Sequence, residues 1–132
     1  DFAHHPTAIR ETLKALGRRF PERRVWAIFE PRSNTTRRNH FQLELAEALR
    51  LAKRVVVAEV ARLEQVPPEE RLNPAQLMAD IRAGGVEADY LPTADEIVAH
   101  VASQVRSGDI LCVLSNGGFD NIHQKLLDAL EA

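Results

Sequence analysis

Apolar positions along this chain alternate between helical spacing and short unbroken runs. Ile9, Leu13, Leu16 and Phe20 recur at helical spacing and predict a first helix from about Pro6 to Arg19. Pro6 suits its first turn, where a missing N–H costs nothing and a fixed φ is already helical. Val25-Trp26-Ala27-Ile28-Phe29 is apolar throughout, as in a strand covered on both faces. Phe41, Leu45, Ala48, Leu49 and Ala52 form one stripe of a second helix, and Val55–Ala58 forms a second strand. A long connection, Glu59 to Asn73, carries Pro67-Pro68 and mixed charges; surface loops of this length are uncommon and often functional. Asn73 reads as an N-cap with Pro74 at the first helical position, opening a helix that carries Leu77, Met78 and Ile81 and stops at Gly84-Gly85. Val86–Tyr90 is a short third strand. Thr93 and Glu96 form a capping box for a helix striped by Ile97, Val98, Val101 and Val105. Asp109–Leu114 is the fourth strand, and a last helix from near Phe119 to Leu130 turns Ile122, Leu126 and Leu130 inward.

Strands separated by helices imply right-handed crossovers and a parallel sheet. The expected fold class is therefore α/β: a Rossmann-like, doubly wound, mainly parallel sheet with helices on both faces. Its 132 residues fit one domain, 1–132, with a substantial core. The composition, 45% hydrophobic and 27% charged, is ordinary for a globular chain. A net charge of −2 provides no global field for nucleic acid or anionic membrane, so neither is an expected partner. Neither an apolar stretch of about 18 residues nor a signal-peptide pattern is present. The lone Cys112 sits in the apolar run 110–114 and reads as a small buried hydrophobe; a single cysteine agrees with a reducing compartment.

In open α/β sheets, ligands bind beyond the carboxyl ends of the strands. Two irregular polar segments fall there. Glu30-Pro31-Arg32-Ser33-Asn34-Thr35-Thr36-Arg37-Arg38 follows the first strand, and Ser115-Asn116-Gly117-Gly118-Phe119-Asp120-Asn121 follows the fourth. Parallel topology puts both on one rim. Each is expected to lead into a helix N-terminus, which favours anions. Arg32, Arg37 and Arg38 offer planar donors that grip carboxylates, with Arg32 and Arg37 the first choices; solvated surface charge is the competing role. Ser33 and Asn34 are candidates to orient amide or amine groups, while Thr35 or Thr36 caps the second helix. Ser115 and Asn116 are candidates to position substrate. Gly117-Gly118 either lets the backbone approach a ligand closely or serves as a tight strand-to-helix turn. A P-loop, a Gly-x-Gly-x-x-Gly fingerprint and a Gly-x-Ser-x-Gly elbow are all missing from the sequence. His4-His5 has no ligand-spaced partner, so no metal site is expected. His40, His100 and His123 fall on predicted helices, as solvated or partly buried residues.

Asp1-Phe2-Ala3-His4-His5-Pro6 resembles the motif that opens the C-terminal domain of the Mur ligases, the ATP-dependent amide-bond ligases of peptidoglycan synthesis. Phe29-Glu30-Pro31-Arg32-Ser33-Asn34-Thr35 and Leu114–Ile122 look most like the murein tripeptide branch of that family, which serves recycling. The resemblance covers nearly the whole chain. The abrupt start, beginning on a motif, suggests a domain cut from a longer protein.

The resemblance implies a reaction in which ATP phosphorylates the carboxylate of UDP-N-acetylmuramate. The alanine amine of L-Ala-γ-D-Glu-meso-diaminopimelate then attacks the acyl phosphate. It assigns Asp1 to the ATP ribose and His4 to the neighbourhood of the reacting phosphate; His5 has a structural role. It also adds a short antiparallel edge strand. ATP and magnesium are the implied cofactors, with the magnesium ligands on a central domain outside this chain. This domain would bind substrate against the N-terminal and central domains of the same cytoplasmic protein, and would have no catalytic residue and no activity alone. Two rival readings are the C-terminal domain of UDP-N-acetylmuramate–L-alanine ligase and a non-catalytic Rossmann-like binding module. The first would carry a motif closer to Pro-His-Arg-Tyr-Thr-Arg after the first strand, and Pro31-Arg32-Ser33-Asn34-Thr35 departs from it.

Overall fold

A computed structural model describes residues 5–33, 35–115 and 117–131. Nine main elements alternate along the chain: α1 (Pro6–Arg19), β1 (Val25–Phe29), α2 (Gln42–Leu49), β2 (Arg54–Val57), α3 (Pro74–Ala83), β3 (Glu87–Tyr90), α4 (Ala94–Gln104), β4 (Ile110–Leu114) and α5 (Ile122–Glu131). The strands form one parallel sheet in the order β3-β2-β1-β4. Helices flank both faces, which is the doubly wound architecture expected.

Period-two alternation along β1 feeds two cores. Val25, Ala27 and Phe29 face α1, α2 and α3 through Ile9, Leu13, Leu45, Leu49, Leu77 and Ile81. Trp26 and Ile28 face α4 and α5 through Ile97, Val101, Ile122 and Leu126. The chain winds outward from β1 to β3 on the first face, then crosses back on the second face to lay β4 on the other side of β1. The strand order therefore reverses between β1 and β4, and the loops after these two strands meet at that point.

Capping residues behave as their types require. Asn73 Oδ1 accepts the Gln76 N–H at 3.1 Å, and Thr93 Oγ1 accepts the Glu96 N–H at 3.1 Å. The Thr93 hydroxyl also donates to the Glu96 carboxylate at 3.0 Å. His5 caps α1, its Nδ1 accepting the Thr7 N–H at 3.1 Å, so the structural role expected for it has a geometry.

Five local expectations differ from what the described residues show. The second helix is shorter than its stripe: Phe41 only precedes it, and Ala52 is buried by a turn whose N–H reaches the Leu49 carbonyl at 3.1 Å. Neither Thr35 nor Thr36 caps it, because turns intervene before Gln42. Leu130 stays 42% exposed, since α5 packs through Ile122 and Leu126. Cys112 is only partly buried, because β4 is a sheet edge; burial still pushes its thiol up to about 11. The antiparallel strand is not found among the described residues, where antiparallel contact is limited to a single bridge between Arg38 and Arg71.

Trp26 anchors the second face. It is fully buried, and its indole N–H donates to Asp109 Oδ2 at 2.9 Å. Arg24 closes on the same carboxylate, with Nη2 at 2.7 Å. The Arg106 N–H adds a bond of 2.9 Å. Burial alone would raise the Asp109 carboxyl, but the bonds from Arg24, Arg106 and Trp26 overcome it and hold the group at about 2.

Candidate functional site

The rim at the β1/β4 reversal is built from two loops that lie side by side because β1 and β4 pair in register, Phe29 opposite Leu114. The Glu30 N–H extends that pairing to the Leu114 carbonyl at 3.0 Å. Ser115 is buried, with 4% exposure. Its hydroxyl donates to Glu30 Oε1 at 2.6 Å and accepts the Gly117 N–H at 3.1 Å. The distal part of Arg32 lies directly across Gly117, in space that any side chain at position 117 would occupy. The space that this glycine leaves open is taken by Arg32 of the neighbouring loop.

Arg32 is half-buried and, among the described residues, donates no hydrogen bond and makes no ion pair. The other arginines of the loop are engaged. Arg37 Nη1 donates to the Arg62 carbonyl at 3.1 Å, to Gln65 Oε1 at 3.2 Å and to the Ala61 carbonyl at 3.5 Å, while Nε reaches the Ser33 carbonyl at 3.3 Å. Arg37 therefore ties the loop after β1 to the long connection after β2. Arg38 pairs with Glu70 at 2.6 Å. Ser33 is buried, its hydroxyl 2.8 Å from that of Thr36 and accepting the Thr36 N–H at 3.0 Å, so it shapes the turn. Of the residues chosen from sequence, the structure brings Arg32, Ser115 and Gly117 together, buries Ser33 and engages Arg37 with the connection after β2. Asp1, His4, Asn34 and Asn116 lie outside the described residues.

The turn after β4 has an unusual backbone. Phe119, Asp120 and Asn121 take φ values of 48°, 50° and 58°, in the left-handed region, although the glycines stand just before them. Such residues cost on the order of 1 kcal/mol each and persist where surrounding structure over-determines them. Here Phe119 is buried in the second core, and Lys125 Nζ bridges Asp120 at 2.8 Å and Asp95 at 3.0 Å. Arg62, with φ 51°, is also left-handed. Both segments border a cavity of about 280 Å³ on this rim, whose walls include Glu30, Glu59, Arg62, Phe119 and Asp120. A larger hollow of about 350 Å³ lies beside β3, away from both loops.

Glu30 is the residue that sequence reasoning passed over. It lies within the first polar segment, but its partner Ser115 is 85 residues away, and no local pattern marks the pair. The adjacency of β1 and β4 was the signal available. Chemically, the rim offers the Arg32 guanidinium, unpaired among the described residues, and a Ser115 hydroxyl fixed by Glu30, whose carboxylate also borders the cavity; this is a donor set for a carboxylate-bearing ligand with further polar groups. Among the described residues no group of three histidine, cysteine or acidic side chains is placed to hold a metal.

The sequence profile described as "Mur ligase, glutamate ligase domain" matches residues 1–117. The chain is 38% identical over 131 residues to UDP-N-acetylmuramate–L-alanyl-γ-D-glutamyl-meso-2,6-diaminoheptandioate ligase of Escherichia coli K12, covering 98% of this chain and 26% of that protein. It is 31% identical over 127 residues to UDP-N-acetylmuramate–L-alanine ligase of Desulfitobacterium hafniense Y51, covering 96% of this chain and 28% of that protein. The crystal structure of the murein peptide ligase mpl from Psychrobacter arcticus 273-4 superposes with a TM-score of 0.80 at 35% identity, covering 98% of this chain and 26% of that one. The chain thus spans about a quarter of the length of the relatives it matches.

Proposed function

This chain belongs to the Mur ligase family, and from that premise we propose that it is the C-terminal, acceptor-binding domain of an ATP-dependent ligase joining L-Ala-γ-D-Glu-meso-diaminopimelate to UDP-N-acetylmuramate. The observation that carries the reading is Arg32, a half-buried cation without an ion-pair partner among the described residues, seated at the β1/β4 reversal. A half-buried cation of this kind gains most from a ligand carboxylate, and the tripeptide carries several. The higher identity to the Escherichia coli tripeptide ligase than to the alanine ligase supports the same choice.

In this reading Arg32 holds an acceptor carboxylate, and the cavity beside Glu30 receives neighbouring groups of the peptide. ATP activates the sugar-nucleotide carboxyl for attack. In this reading the phosphate loop and magnesium ligands lie on a central domain; this sequence itself contains no P-loop. What these residues contribute is placement: an amine delivered at fixed distance to an activated carboxyl reacts as an intramolecular partner. Closure of this domain over the nucleotide would exclude water. Asp1 and His4 would face the nucleotide. No helix among the described residues is long and apolar enough to cross a membrane, and in this reading the protein works in the cytoplasm, on the substrates proposed above.

The similarity to alanine ligases keeps one alternative in view, an acceptor that is free L-alanine. Competing the two acceptors at equal concentration in the full-length protein, with each product measured by mass, separates them. The tripeptide should win by a large factor in kcat/KM. A preference for alanine overturns the assignment. This chain alone, given ATP, magnesium, the sugar nucleotide and tripeptide, should form no product.

A further inference from the structure

We propose that Glu30 is the positioning residue of this rim: through Ser115 it sets the turn against which Arg32 is held. The inference rests on the reading of Arg32 as the acceptor-carboxylate group. A serine hydroxyl has one hydrogen to give. Here it goes to Glu30 Oε1 at 2.6 Å, the short distance of a hydroxyl bonded to an ionised carboxylate. Fixing that hydrogen leaves a lone pair aimed at the Gly117 N–H, 3.1 Å away. Gly117 in turn forms the floor under Arg32. The relay runs from Glu30 to Ser115, to the Gly117 backbone, to the Arg32 side chain.

The sheet does not need this relay. β1 and β4 are already joined by five residue pairs, from Val25–Ile110 to Phe29–Leu114. The relay lies beyond the last of them and orders only the loops, so its effect falls on ligand placement. Ser115 is also buried, and removing Glu30 leaves a hydroxyl with no alternative acceptor among its described bonds.

The test uses the full-length protein carrying Glu30→Ala, Glu30→Gln, Ser115→Ala or Glu30→Ala/Ser115→Ala. Acceptor KM, ATP KM and kcat are measured, together with hydrogen exchange at the Gly117 amide, which reads the relay without substrate. Glu30→Ala and Ser115→Ala should each raise acceptor KM about tenfold, leave ATP KM within about twofold, and speed Gly117 exchange. Glu30→Gln, whose amide oxygen still accepts the serine proton, should recover most of the loss. The double variant should be no worse than the worse single one, because both changes break the same chain. Additive losses overturn the proposal, as does a Glu30→Gln variant as impaired as Glu30→Ala with Gly117 exchange unchanged; the carboxylate would then act on substrate directly. If the wild-type protein does not use tripeptide, the functional reading fails, and the exchange data still decide whether the relay exists.

Discussion

Replacing Gly117 with alanine tests the site with a single methyl group. Where the backbone suits alanine, such a change stiffens the unfolded chain and favours folding by roughly 0.4–1 kcal/mol. The methyl, however, would fall on Arg32 Cδ and Nε, well inside the 3.4–4 Å of ordinary contact. The arginine side chain is flexible and will swing away, on the order of 1 Å or more, at small cost to folding. Binding will feel it. A charge-assisted hydrogen bond contributes about 1.5–3 kcal/mol, and misplacing it should raise acceptor KM roughly 10- to 150-fold. In the full-length enzyme, steady-state kinetics with tripeptide varied at saturating ATP, then the reverse, give the two KM values, and a thermal melt gives stability. The expected pattern is a large rise in acceptor KM, an unchanged ATP KM and a melting temperature close to wild type. An unchanged acceptor KM would show that Arg32 does not touch the acceptor. A fallen melting temperature would show that the Arg32–Gly117 contact is part of the packing.

Arg37→Ala should lower the melting temperature, by an amount equivalent to about 1–3 kcal/mol, because its donors hold the carbonyls of Ala61 and Arg62; a melt unchanged alongside a large rise in acceptor KM would return Arg37 to direct substrate contact. The Asp109 carboxyl is held at about 2 against an ordinary 3.8, so its stabilisation is present above about pH 4 and lost as pH falls toward 2. That is worth about 2 kcal/mol at neutral pH, and urea unfolding followed by fluorescence of Trp26, the single tryptophan, should show the loss in wild type and its absence in Asp109→Asn. EDTA should leave the melting temperature of this chain unchanged, a drop of several degrees being the result that would point to a bound structural metal.

Local chemistry determined the elements. Pro6, Asn73 and Thr93 mark helix starts because a cap and a fixed φ act within one turn, and the apolar runs at 25–29 and 110–114 became the paired β1 and β4 because a strand covered on both faces has no polar position to offer. Parallel strand direction then placed both polar loops on one rim without any knowledge of side-chain contacts. Tertiary structure decided what those loops do. Arg32 and Arg37 are five positions apart in the same polar loop, yet the first lies over Gly117 with no ion pair among the described residues while the other is drawn to the carbonyls of Ala61 and Arg62. The bond from Ser115 to Glu30 spans 85 residues, and left-handed φ values fall at Phe119, Asp120 and Asn121, just after the glycine pair. Leu130 follows the stripe of its helix and still faces solvent, because α5 packs through only its first two turns. Periodicity encodes burial along one element. Which groups meet between elements depends on the order of strands in the sheet, and that order is a property of the whole chain's packing.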